Sequence, residues 1–184
     1  MLSPVSTRGG SSLRVPMSYD EFRTLGETKH HEYYDGLCVV NPPTKRHVLV
    51  ARRLTRALED AAPAGYDVLP EWGWHLEPAQ DYEPDIMVAP SDTDPDVLRQ
   101  PPLLVVEVTS PSTRHEDWGH KRRAYAAGGA EWYWIVGIDD HEIAILRRHE
   151  GEFVIANRLR ARRHRVTEPF DVTLDVDHLL GSSG

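Results

Sequence analysis

At 184 residues, 40% hydrophobic and 27% charged, the chain has the length of one domain and the composition of a globular protein with a core. A net charge of -8 weighs against a protein that coats nucleic acid non-specifically, although it leaves room for a local basic surface around an acidic metal site. No apolar stretch approaches the ~20 residues of a membrane helix, and the lone Cys38 excludes an internal disulfide and fits a reducing, cytoplasmic setting.

The opening "MLSPVSTRGGSSLRVP" lacks the apolar middle of a secretion signal, so residues 1–16 read as a disordered Ser/Gly tail and 17–180 as a single domain. Ser18 and Glu21 in "SYDE" form a capping-box pattern that opens a short helix containing Phe22 and Leu25. "HEYYDGLCVV" (31–40) places Asp35-Gly36 between two strand-like runs, the signature of a hairpin, which "NPPT" then ends. From about 46 to 61, Val50, Ala51, Leu54, Leu58 and Ala61 recur at helical spacing, leaving Arg52, Arg53 and Arg56 off the apolar stripe.

Strand-like runs follow at 66–76, 84–89 and 103–109. Pro84 suits a strand start, and "PSDTDPD" with "RQPP" makes a surface connection. "LLVVEVT" is apolar on both faces up to Glu107, as in a central strand covered on both sides. The segment 115–129 reads as a helix ending in Gly-Gly, and 132–156 as a strand, a turn at Asp139-Asp140 and two further strands. The sum is an α/β (α+β) protein with two or three helices around one central mixed sheet.

A charge inside "LLVVEVTS" must be met by a cation or by hydrogen-bond donors. Asp85 leads one strand and Glu107 ends another; as neighbours, they would converge at one sheet edge as oxygen ligands suited to Mg²⁺ or Mn²⁺. Asp117, Lys121 and Tyr125, spaced i, i+4, i+8, share a helix face; if that face covers the sheet edge, the Lys121 ammonium can reach a metal-bound water near Glu107.

"PD" at 84–85 and an apolar run closing in "EVT" at 107–109 resemble the PD-(D/E)XK nuclease superfamily. "EVTSPST" at 107–113, then Asp117, Lys121 and Tyr125, then "GGAEWYWIV" at 128–136 resemble one branch, the bacterial Uma-two type of restriction-endonuclease-like protein. "HEYYDG" and His47 also fit, so the likeness spans roughly residues 18–180. It implies a restriction-endonuclease-like core and Mg²⁺- or Mn²⁺-assisted hydrolysis of DNA phosphodiesters. In that picture Asp85, Glu107, the Val108 carbonyl and Glu32 hold the ion, Lys121 stabilises charge or orients water, and His47 contacts a phosphate or orients a carboxylate. The superfamily's Lys two positions after the Glu is Thr109 here, and the branch resemblance moves that cation to Lys121.

Each of these residues has a plainer reading. Glu107 could pair with an arginine, Asp85 could close its own turn, Glu32 could pair across the hairpin, and Lys121 could make an exposed i, i+4 pair with Asp117. His47 could be a satisfied, partly buried histidine, Tyr125 a core residue and Glu71 either a site or a packing residue. Ten histidines and one cysteine show no zinc spacing, and the tryptophans read as core. Arg52, Arg53 and Arg56 with the run Arg158, Arg160, Arg162, Arg163 and Arg165 offer a phosphate-contacting surface or a solvated face. The alternative function is a non-catalytic nuclease fold serving as a binding or regulatory subunit, favoured by Thr109 and the negative charge. RNA is a further substrate class, no membrane contact is expected, and a homodimer would suit symmetric cutting of two strands.

Overall fold

The computed structural model describes residues 12–26, 30–93 and 96–181. Its elements are β1 (Leu13–Pro16), α1 (Tyr19–Thr24), β2 (His31–Tyr34), β3 (Leu37–Val40), α2 (Lys45–Glu59), β4 (Tyr66–Pro70), β5 (Trp74–Leu76), β6 (Gln80–Tyr82), β7 (Ile86–Pro90), β8 (Leu104–Thr109) and α3 (Arg114–Glu116). After a π-helical turn (Asp117–Lys121) come α4 (Arg122–Ala127), β9 (Trp132–Gly137), β10 (Glu142–His149), β11 (Glu152–Arg160), β12 (Arg163–Val166), β13 (Val172–Asp175) and α5 (Val176–Leu180).

A six-stranded mixed sheet runs β11-β10-β9-β8-β7-β4. Only β8 and β9 pair in parallel, and parallel neighbours need a crossover, which α3, the π turn and α4 supply. All six residues of β8 are buried, as its apolar sequence requires of a strand covered on both faces. On one face Val50, Leu54 and Leu58 of α2 meet Ile86, Val88, Leu104, Val106 and Val108, with α5 and the β12–β13 hairpin closing the same core. On the other, Met87, Val105, Tyr133 and Ile135 meet Tyr125 and Ala126 of α4 and residues of a second, antiparallel sheet ordered β1-β3-β2-β6-β5.

Local expectations hold where short-range chemistry decides. The Ser18 side chain accepts from the Glu21 amide at 3.2 Å while Glu21 Oε2 accepts from the Ser18 amide at 2.8 Å, so the capping box starts α1. Asp35 and Gly36 take φ of 53° and 73°, the two left-handed residues that a two-residue hairpin needs.

Four expectations change. Within the expected tail, residues 1–11 lie outside the described residues, while Leu13–Pro16 pair with the open edge of β3. The run at 66–76 divides at Glu71, whose φ of 50° breaks the extended chain, so that β4 joins the six-stranded sheet and β5 the five-stranded one. The second sheet, the β12–β13 hairpin and α5 are additions to the single sheet expected. The helix expected over 115–129 is interrupted by the π turn.

Candidate active site

The register Ile86↔Val106 brings Asp85 opposite Glu107 by one further antiparallel step, just beyond the start of β7. The pair therefore converges because β7 begins where β8 is ending. Asp85 Oδ2 accepts from the Val108 amide at 2.6 Å. In an extended strand the N–H and C=O of one residue leave the same edge, so the Val108 carbonyl also faces this gap, where β7 no longer pairs.

Glu107, 4% exposed, faces Lys121 and Tyr125. Lys121 Nζ lies 3.0 Å from Glu107 Oε1, and the Tyr125 hydroxyl donates to the same oxygen at 2.7 Å. Lys121 also lies 2.9 Å from Glu32 Oε1, delivered by β2 of the second sheet. It is thus a buried counter-ion to two carboxylates, and the exposed pairing with Asp117 does not form. The π turn explains the alignment of Asp117, Lys121 and Tyr125. Four residues at 3.6 per turn overshoot a full turn by ~40°, whereas the wider i→i+5 turn undershoots it, so the offsets cancel. All three residues are buried on one line facing the sheet.

His47 Nε2 stands 3.0 Å from Asp85 Oδ2. A carboxylate only accepts, so Nε2 carries the proton and the imidazole fixes the orientation of Asp85. Thr44 sets this up by capping α2, its hydroxyl oxygen accepting from the His47 amide at 3.2 Å. Thr44→Ala is expected to lower stability by about 0.5–2 kcal/mol in urea unfolding, since it strips the cap from the helix end that carries His47.

The electrostatics are one-sided. Burial tends to raise Asp85, but the His47 contact and the Val108 amide win and hold it below its usual range. Burial raises Glu107 well above the ordinary glutamate range against the pull of Lys121, with Asp85, Asp117 and Glu32 adding to the rise. Asp117 is pushed up to about 6 by burial, against Lys121 and the Thr109 hydroxyl. Lys121 remains an ammonium: burial opposes its charge, but Glu107, Glu32 and Asp117 outweigh that. Glu32, Asp85, Glu107 and Asp117 thus share Lys121 and, when protonated, His47. Glu32 Oε2 is buried without a partner. These groups line an open cavity of about 490 Å³. An all-oxygen donor set with surplus negative charge and an unpaired carboxylate oxygen fits a hard divalent cation.

The structure thus brings together Asp85, Glu107, Val108, Lys121, Glu32 and His47. Thr109 is buried where the superfamily's Lys was sought, and Lys121 stands beside Glu107 instead. Sequence reading did not single out His30 and Glu83, which line the same cavity; Glu83 directly precedes "PD", the one available signal. Four of the five arginines of the run are paired with acidic side chains. Arg158 and Arg160 both hold Glu142, Arg165 holds Asp171 and Arg163 lies 4.0 Å from Asp175, while Arg53 donates to the Leu179 carbonyl at 3.1 Å. Arg52 and Arg56 are exposed on α2. No helix among the described residues is long and apolar enough to cross a membrane.

No curated protein matches the sequence. A solved structure described as a "putative nuclease belonging to DUF820", from Anabaena variabilis ATCC 29413, aligns with a TM-score of 0.73 over 90% of this chain and 98% of that one, at 17% identity. At that identity the likeness establishes a shared fold, the fold of a protein described as a nuclease. The model of the family described as "Uma2: Putative restriction endonuclease" matches residues 18–177, spanning every element from α1 to β13. The chain belongs to the Uma2 family.

Proposed function

We propose that the protein is a Mg²⁺- or Mn²⁺-dependent endonuclease of the PD-(D/E)XK type that hydrolyses phosphodiester bonds of DNA. The observation that carries this reading is the meeting of Asp85 and Glu107 across neighbouring strands, with Lys121 Nζ 3.0 Å from Glu107 and an unpartnered Glu32 oxygen beside them. Asp85, Glu107 and the Val108 carbonyl would hold the ion, with Glu32 as a further carboxylate. A divalent cation bound there supplies a Lewis acid that offsets phosphate charge and lowers the pKa of water.

The protein's own groups do the rest. His47 and the Val108 amide engage one oxygen of Asp85, leaving the other for the cavity. Tyr125 fixes Glu107, and Lys121 brings a buried ammonium to the place where charge develops on a phosphoryl group. Exposed Arg52 and Arg56 on α2 are available to a phosphate backbone.

Cleavage of supercoiled plasmid in Mg²⁺ or Mn²⁺, with a chelator control and a single-stranded RNA arm, tests the reading. Wild type is expected to nick or linearise the plasmid, and Asp85→Asn to be at least about 10²-fold slower. Equal rates in the two proteins, or no cleavage by either, would overturn the nuclease assignment, and cleavage of RNA alone would overturn the DNA substrate. A second reading rests on the double pairing of Lys121 with Glu32 and Glu107: the ammonium acts as a permanent internal cation, and the fold serves as a binding or regulatory module. Absence of Mn²⁺ binding by calorimetry would select it.

A further inference from the structure

Beside the cavity, which His30 and Glu83 help to line, stands a second set of ligand groups that differs in chemistry from the all-oxygen pair. His30, Glu71 and Glu83 each present a ligand atom within 4.8 Å of the others. They come from three separate places: the residue before β2, the residue after β4 and the residue after β6. The chain therefore brings a nitrogen donor and two carboxylates together only on folding. The His30 amide donates to Glu83 Oε2 at 2.8 Å, which aims the other oxygen, Oε1, away from that contact.

Glu83 Oε1 is buried without a hydrogen-bond partner, with His30 Nδ1 3.9 Å away, beyond hydrogen-bond reach. Next to it, the Glu83 amide donates at 3.2 Å to Glu32 Oε1, and Glu32 Oε2 is also unpartnered. The Glu32 side chain is only 5% exposed. Two neighbouring carboxylates thus hold buried oxygens without a hydrogen-bond partner, beside a histidine and a third carboxylate. Lys121 is already engaged through Glu32 Oε1 and Glu107 Oε1. A buried acceptor without a donor destabilises the fold, more so when it is charged, and a bound cation removes that cost.

We propose that His30, Glu71 and Glu83 form a second divalent-cation site, with the free oxygen of Glu32 beside it, that takes a borderline metal such as Zn²⁺ or Mn²⁺ rather than Mg²⁺. The imidazole sets the preference: nitrogen ligands suit Zn²⁺ and its neighbours, whereas Mg²⁺ takes oxygen. Such an ion would tie the β2 entrance to the β4–β5 and β6–β7 junctions, giving the cavity wall a fixed shape. The site does not depend on the assignment of Asp85 and Glu107.

The test is Zn²⁺ titration of Glu107→Gln, a chain in which the other candidate site is crippled, alone and combined with Glu71→Gln or His30→Ala. Glu71 is exposed, so its exchange leaves folding intact, and a thermal melt in chelator checks each variant. Glu107→Gln is expected to bind one Zn²⁺ tightly, and either added substitution to weaken that binding by at least about 10²-fold. Zn²⁺ affinity that is unchanged by both substitutions, or absent from Glu107→Gln, overturns the second site. Neither result bears on plasmid cleavage, so failure here is distinct from failure of the nuclease reading.

Discussion

Lys121→Met is expected to destabilise the metal-free protein by about 3–5 kcal/mol in urea unfolding, more than any other single substitution at the site. The side-chain volume is nearly kept, so packing is not the cause. Glu32 and Glu107 both direct Oε1 at the ammonium, at 2.9 and 3.0 Å, and both side chains are 5% exposed. Without the ammonium, two buried carboxylates face each other across an uncharged methionine. Mn²⁺ is expected to raise the melting temperature of the variant more than that of wild type, because the ion replaces the missing positive charge. A loss of stability below about 1 kcal/mol would show that Lys121 is not the counter-ion of this cluster.

Glu107→Gln is expected to act in the opposite sense on stability while abolishing function. The amide keeps the shape of the carboxylate and still accepts from Tyr125 and Lys121, but it removes one of four negative charges that share one ammonium. The folded-state pKa of Glu107 is raised by burial, so the group costs stability above its unfolded pKa, and that cost fades as pH falls from the folded pKa towards the unfolded one. Removing the charge is therefore expected to stabilise the metal-free protein by up to about 2 kcal/mol, while Mn²⁺ affinity and plasmid cleavage each fall by at least about 10²-fold. Calorimetry and a plasmid time course read these effects. Mn²⁺ affinity equal to that of wild type would remove Glu107 from the ligand set.

The two substitutions separate stabilisation from chemistry in one cluster. Lys121 holds the folded state against a charge surplus, and Glu107 is part of that surplus. A site that keeps excess buried carboxylate in its metal-free state sacrifices stability for readiness to bind a cation, the trade expected where function requires an unfavourable arrangement.

Much of this was legible from local order. Ser18 with Glu21 marked α1, Asp35-Gly36 marked the β2–β3 hairpin, and the spacing of Val50, Leu54 and Leu58 marked α2, because caps, turns and amphipathic faces depend on residues at most a few positions apart. The lone charge in "LLVVEVTS" announced that Glu107 needs a partner, and the ordered elements of the family named Asp85, Lys121, Glu32 and His47 as its company. The break at Glu71, the second sheet and the π turn were not legible. Each arises where competing pairings or packing, rather than neighbouring residues, decide the backbone.

The sequence by itself thus determined which residue types are present for chemistry, that a charged side chain sits in a central strand, and the family to which the chain belongs. Tertiary structure alone decided that Lys121 is buried between two carboxylates rather than exposed beside Asp117, that Arg158, Arg160, Arg163 and Arg165 pair with Glu142, Asp171 and Asp175, and that His30, Glu71 and Glu83 meet. The physical reason is that charge partners are chosen by distance in space and by burial. Both depend on how β7 pairs with β8 and how the five-stranded sheet lies over α4, long-range facts that no local spacing encodes.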